Sequence, residues 1–174
     1  MRADTAGARA AARAMIVEYS VKTAPVPVER IARIMKVRVQ YSPLDGDLSG
    51  MVTIHDGVPI IGINALHHPN RQRFTLAHEM GHLVLHREIL EGSVHVDKQI
   101  LHRDIMTATG ADWREIEANA FASELLMPEP LMRVQATANV IAFEDDEAIA
   151  SLAKKFRVSD AAIRFRLFSP GVRE

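Results

Sequence analysis

A chain of 174 residues, 48% hydrophobic and 25% charged, is long enough to bury a core of its own and lies near globular averages, which argues against disorder and membrane embedding. A net charge of −1 argues against a whole-surface attraction to nucleic acid. Cysteine is absent, which excludes a disulfide scaffold, a thiolate nucleophile and a cysteine zinc site, so any metal must be held by His, Asp or Glu.

In chain order, the Ala-rich start predicts a first helix over 6–20. Arginines at 2, 9 and 13 interrupt its apolar residues, so no secretory core forms. A second helix is expected over 26–36, with Pro27 in its first turn and Ile31, Ile34 and Met35 on one face. "VRVQY" (37–41) alternates as a strand. Residues 51–64 read as a β-hairpin turning at Asp56-Gly57, its second arm an edge strand because it contains Pro59. A helix follows at 70–87, with Asn70 as its N-cap. Residues 88–111 show weak periodicity and read as a long excursion with little regular structure, an ordinary surface loop or a lid. Asp112 caps the next helix, which Pro128 stops, and further helices are expected at 129–137, 145–156 and 159–168, with Asp145 or Asp146 and Ser159 as caps. The order predicts an α+β fold, helices packed on a small antiparallel sheet. We expect a single domain over 1–174, with a catalytic core over 1–138 and a C-terminal helical segment over 139–174. No run approaches the roughly 18 apolar residues of a membrane span, and a soluble cytoplasmic protein is expected.

The chemistry concentrates in "RFTLAHEMGHLVLH" (73–86). His78 and His82 are four apart, so their rings share a helix face and can converge on one ion at about 2.0–2.1 Å. Glu79 is rotated about 100° from His78, where it can reach a water beside the ion without being a ligand. This is HExxH, two ligands plus a general base. His86 lies about 12 Å along the axis from His78, too far to share that ion on a straight helix. We expect it as an imidazolium favoured by the helix C-terminus. Gly81 is costly in a helix interior, which suggests a close neighbour. Such polar residues inside an apolar helix are expensive unless compensated, and a metal would compensate them.

A hydrolytic zinc site needs a third protein ligand. The helix over 112–127 offers Glu115, Glu117 and Glu124, with Glu117 on a stripe with Ala120, Phe121 and Glu124 and Glu115 about 200° away. His95, Asp97, His102 and Asp104 are rivals within 88–111. At this point "RFTLAHEMGH" followed by "EIEANAFASELLMP" resembles the ImmA/IrrE family of zinc metallopeptidases. The flanks "PVPVERIARIMKVRV" and "LAKKFRVSDAAIRFRL" are similar too, so the likeness spans roughly 25–168. The resemblance implies a zincin-like fold of gluzincin type, with His78, His82 and Glu117 as zinc ligands and Glu79 as the catalytic glutamate. It further implies an endopeptidase acting on a partner regulatory protein, such as a helix-turn-helix repressor. The alternatives are a non-catalytic regulator that uses the metal-site fold to bind a protein or DNA, and a hydrolase of non-peptide bonds.

In the hydrolytic reading His95, His102 and Tyr41 are candidates to stabilise the oxyanion, and the edge strand "GVPIIGIN" could receive an extended substrate. Arg71 and Arg73 are expected to pair with acidic side chains or to contact substrate. The basic segment 151–174 resembles a helix-turn-helix, but Ile163, Phe165, Leu167 and Phe168 crowd its second helix. Few side chains remain there to read bases, so packing on the catalytic core is favoured over direct DNA binding.

Overall fold

A computed structural model describes residues 2–45, 48–91, 94–98, 112–135 and 145–168. Asp4 opens helix α1 (Thr5–Glu18) by accepting the Gly7 N–H at 2.8 Å, and Ala8, Ala12 and Met15 then form a buried stripe. Helix α2 (Val28–Ile34) follows Pro27 and buries Val28, Ile31 and Ala32. Ile34, expected on that face, is 52% exposed, because the spacing of Val28, Ile31 and Ala32 turns it away.

Strands β1 (Arg38–Ser42), β2 (Leu48–His55), β3 (Val58–Asn64) and β4 (Val94–Lys98) form one sheet in the order β1-β3-β2-β4. The hairpin turns where expected, with positive φ at both Asp56 (49°) and Gly57 (76°), the conformation a two-residue turn needs. Two expectations are corrected. The sheet is mixed rather than antiparallel, since β1 runs parallel to β3. And β3 is interior, not an edge, despite Pro59. Next to the hairpin's closing pair His55–Val58, Pro59 sits opposite Ile54, in a non-hydrogen-bonded pair whose nitrogen points away from β2. On that side β1 begins only at Ile60, so no ladder bond is lost. The edges are β1 and β4.

Helix α3 (Pro69–Leu85) carries the HExxH residues. Its N-cap is His68, whose Nδ1 accepts the Asn70 N–H at 3.2 Å. Pro69 takes the first turn, where its missing donor costs nothing. Asn70, expected as the cap, instead donates to the Val158 carbonyl at 2.9 Å. One side of α3 packs on the inner face of the sheet, where Val52, Ile61 and Ile63 are buried. Its other side meets α5 (Trp113–Leu126), capped by Asp112 as expected. The glycine in α3 marks the crossing. A Cβ on Gly81 would stand 3.1 Å from Ala118 Cα and 3.2 Å from Phe121 Cδ1.

The excursion after α3 is more regular than its sequence suggests, containing α4 (Arg87–Leu90) and β4. Residues 99–111, and with them much of the proposed lid, lie outside the described residues. Helices α6 (Glu129–Gln135), α7 (Asp146–Phe156) and α8 (Asp160–Phe168) complete the chain order. Asp145 caps α7 by accepting the Glu147 and Ala148 N–H groups, and Ser159 Oγ accepts the Ala162 N–H at 3.1 Å to open α8. Among the described residues no helix is long and apolar enough to cross a membrane.

Candidate metal centre

The apolar run around the motif buries it. His78, Glu79 and His82 are all at most 3% exposed, and one helical turn brings the two Nε2 atoms to 3.0 Å. Helix α5 crosses them and presents Glu115. Its Oε2 lies 3.2 Å from His78 Nε2 and its Oε1 3.2 Å from His82 Nε2. One turn further along α5, Asn119 Oδ1 lies 3.1 Å from His78 Nδ1. With that nitrogen donating to the amide oxygen, Nε2 keeps its lone pair for a ligand role.

Glu117, expected as the third ligand, is not in this cluster. Two residues along a helix turn a side chain about 200°, so Glu115 and Glu117 cannot both face α3's histidine pair. Glu115 and Asn119 face it. Glu117 turns toward α1, where its Oε1 accepts the Asp4 backbone N–H at 2.7 Å, and its Oε2 stands 3.5 Å from His86 Nε2. His86 is buried against Trp113. Burial lowers its pKa more than Glu117 raises it, so the expected imidazolium at the helix end gives way to a neutral ring.

Of the rivals, His95 on β4 enters the site, with its Nε2 3.0 Å from Glu115 Oε1 and its ring 4.0 Å from that of His82. Asp97 is also on β4. His102 and Asp104 lie outside the described residues. Tyr41 is on β1, at the opposite edge of the sheet. Arg73 is buried on Glu29 at 3.2 Å and the Val26 carbonyl at 2.9 Å, and Arg71 donates to Ser49 Oγ at 2.9 Å.

The electrostatics fit a divalent ion. Burial pushes His82 down to about 4, so the ring is neutral near pH 7. Burial alone would raise the Glu115 carboxyl, but the surrounding imidazoles of His78, His82 and His95 outweigh it and hold the group well below the usual carboxylate range. One anionic oxygen donor and two imidazoles, that of His82 held neutral, therefore converge, with the His78, His82 and Glu115 donor atoms all within 4.8 Å of one another. Nitrogen and oxygen donors of this kind suit zinc among the common ions.

Two site residues escaped the sequence reading, Asn119 and Gly50. The first has a signal, because "EIEAN" places Glu115 and Asn119 four apart. Gly50, on β2, leaves room for the motif: a Cβ there would overlap the Thr75 methyl and come within 3.1 Å of Glu79 Oε1.

A buried HExxH helix crossed by a carboxylate-bearing helix beside a small sheet is an arrangement of the metallopeptidase class. The chain belongs to the peptidase family described as the IrrE N-terminal-like domain, whose model matches residues 32–168, and so to the ImmA/IrrE group that the motifs resemble. No curated protein matches it in sequence. Among solved structures, a Mycobacterium tuberculosis transcriptional regulator is similar in fold, with a TM-score of 0.60 at 17% identity over 97% of this chain and 49% of that one. The chain thus spans about half the length of that regulator.

Proposed function

We propose that the chain is a zinc-dependent endopeptidase built as one domain, with His78, His82 and Glu115 as metal ligands and Glu79 as general base. The observation that carries this reading is the convergence of both Nε2 atoms on the two Glu115 oxygens, at 3.2 Å each, beside a fully buried Glu79. A divalent ion held by these three residues would polarise the scissile carbonyl and acidify the water beside it. Glu79 takes the proton of that water and passes it to the leaving amine. Its burial keeps competing solvent away and Gly50 gives it space. Strand β4 is the sheet edge next to the site, and an extended peptide can add to it by backbone pairing.

The substrate we propose is a regulatory protein such as a helix-turn-helix repressor, met in the cytoplasm. The family is one of peptidases, and the fold neighbour is named a transcriptional regulator. That neighbour's name also supports a second reading, a non-catalytic regulator that binds a protein or DNA. Direct DNA reading by the C-terminal helices is disfavoured by their packing. Ile163 and Arg166 of α8 are buried, and Arg166 is held by Glu124 and the Met127 carbonyl of the α5 end.

The deciding experiment incubates the zinc-loaded chain with candidate helix-turn-helix repressors from the same genome and compares wild type with Glu79→Gln. Cleavage by the wild type, lost in the variant while zinc is retained, is the expected result. Equal cleavage by both removes Glu79 from the mechanism, and tight binding without cleavage by either favours the regulator.

A further inference from the structure

We infer that His95 is a catalytic residue of this site, the N–H donor that meets the scissile carbonyl oxygen as it becomes an oxyanion; the assignment rests on the metallopeptidase reading above. The placement starts in the strand register. His95 pairs with Val52, which is fully buried, whereas its neighbours Val94 and Val96 pair with Thr53 and Met51 and are exposed. Paired residues in a sheet share a face, so β4 turns His95 inward onto α3 and α5, and the two valines outward.

Its Nε2 is enclosed by protein and lies 3.0 Å from Glu115 Oε1. The donor atoms of Glu79, His82 and His95 form a second set within 4.8 Å of one another, sharing His82 with the set made by His78, His82 and Glu115. His95 therefore stands beside the proposed ligands, on the ground it shares with the general base. That is where water and carbonyl must meet. A zinc site with three protein ligands needs an oxyanion donor besides the ion, and preorganised donors there supply a large part of catalysis. Tyr41, the other described candidate, is across the sheet.

Glu79 takes one proton from water, the water oxygen bonds to the carbonyl carbon, and the carbonyl π pair moves onto oxygen. His95 donates a hydrogen bond to that oxygen and keeps its proton. Collapse restores the carbonyl, breaks the C–N bond and sends the proton held by Glu79 to the amine nitrogen.

The test needs no natural substrate. The chain, His95→Phe and His95→Gln are loaded with Co2+, and metal affinity is measured by chelator competition. Binding of acetohydroxamate, whose carbonyl oxygen models the oxyanion, is followed through the Co2+ visible spectrum. We expect Co2+ affinity and spectrum to change little among the three, by about threefold or less, well short of the loss when a ligand or its support is removed. Acetohydroxamate binding should weaken about tenfold or more in His95→Phe and largely return in His95→Gln, which keeps an N–H donor. A Co2+ affinity lowered by about tenfold or more in His95→Phe would overturn the assignment by making His95 a ligand or a support for Glu115. Equal acetohydroxamate affinity in all three would overturn it while leaving the metal reading intact. A wild-type chain that takes up no Co2+ would sink that reading and this assignment together.

Discussion

At the scale of single residues, the two glutamates of "EIEAN" divide the work of α5. Glu115 faces the histidine pair of α3, and Glu117 faces α1. Replacing Glu115 with Ala removes the carboxylate that meets both imidazoles, so zinc affinity should fall at least as far as the roughly 10–100-fold seen when only a ligand's support is lost. Glu117→Ala should leave zinc affinity nearly unchanged but lower stability by about 1–3 kcal/mol, because it strips an acceptor from the Asp4 N–H. Chelator competition and urea unfolding on both variants separate the two outcomes, and the reverse pattern would restore Glu117 as the ligand. Gly50→Ala tests the general base in a different way. Its methyl must displace the Thr75 methyl and crowd the Gly62 carbonyl oxygen and Glu79 Oε1, at a cost of about 1–3 kcal/mol in overpacking, and peptidase activity should drop while zinc stays bound. The histidine pair was legible because four-residue spacing puts two rings on one helix face, and the structure brings their Nε2 atoms to 3.0 Å. The choice between Glu115 and Glu117 was not, because both stand on a helix with little polar surface, Glu117 buried and Glu115 partly so. What decides is which side α1 covers, and that contact, Asp4 to Glu117, spans 113 positions in the sequence.

At the scale of elements, the site depends on how closely α3 and α5 approach. Gly81 sets that distance, since an added Cβ would press on Ala118 Cα, its carbonyl oxygen and the Phe121 ring at 3.1–3.2 Å. In an isolated helix Gly→Ala gains about 1 kcal/mol. Here we expect Gly81→Ala to lose stability instead and to weaken zinc binding, because pushing α5 outward carries Glu115 away from His78 and His82. A variant more stable than wild type with unchanged zinc affinity would show that the crossing tolerates the methyl group. The cost of a mid-helix glycine announced this contact in the sequence, although its partner was hidden. Most helices were legible from caps and periodicity, Asp112, Asp145 and Ser159 among them. Sheet order was not. A proline reads as an edge signal, yet the edge beside the site belongs to β4, whose five residues lie inside a segment too short and too weakly patterned to stand out. Its partner, β2, lies about 40 residues earlier in the chain, and only that pairing brings His95 to the site.

For the molecule as a whole, buried charge ties distant segments together and makes the fold sensitive to acid. Arg166 and Glu124 pair at 2.5 Å with at most 2% of either side chain exposed, joining α8 to α5, and Arg9 and Arg13 of α1 approach the same Glu124 oxygen at 3.9 and 3.7 Å. Arg166→Leu leaves Glu124 without its close partner and should cost about 3–5 kcal/mol, read as an earlier urea midpoint. The second sensitivity lies in the metal centre. In the zinc-free chain His82 is lowered from 6.5 to about 4 by burial, so between those values the unfolded state binds a proton that the folded state refuses. Stability rises with pH wherever the unfolded state holds more protons. This contribution is therefore fully present above pH 6.5 and is lost as pH falls toward 4, by about 3 kcal/mol at roughly 1.4 kcal/mol per pKa unit. Glu115, held below its ordinary value of 4.5, acts in the same direction further down, since its contribution is present above that value and fades below it. Urea unfolding of the zinc-free chain should give constant stability from pH 8 to about 7 and a steady fall below about 6.5. In His82→Leu the part of the fall above pH 5 should shrink, because the proton-accepting ring is gone and Glu115 has not begun to titrate. Stability that held or grew on acidification through that window would mean that His82 takes up a proton in the folded state, as a ring paired with Glu115 rather than one kept neutral for a metal.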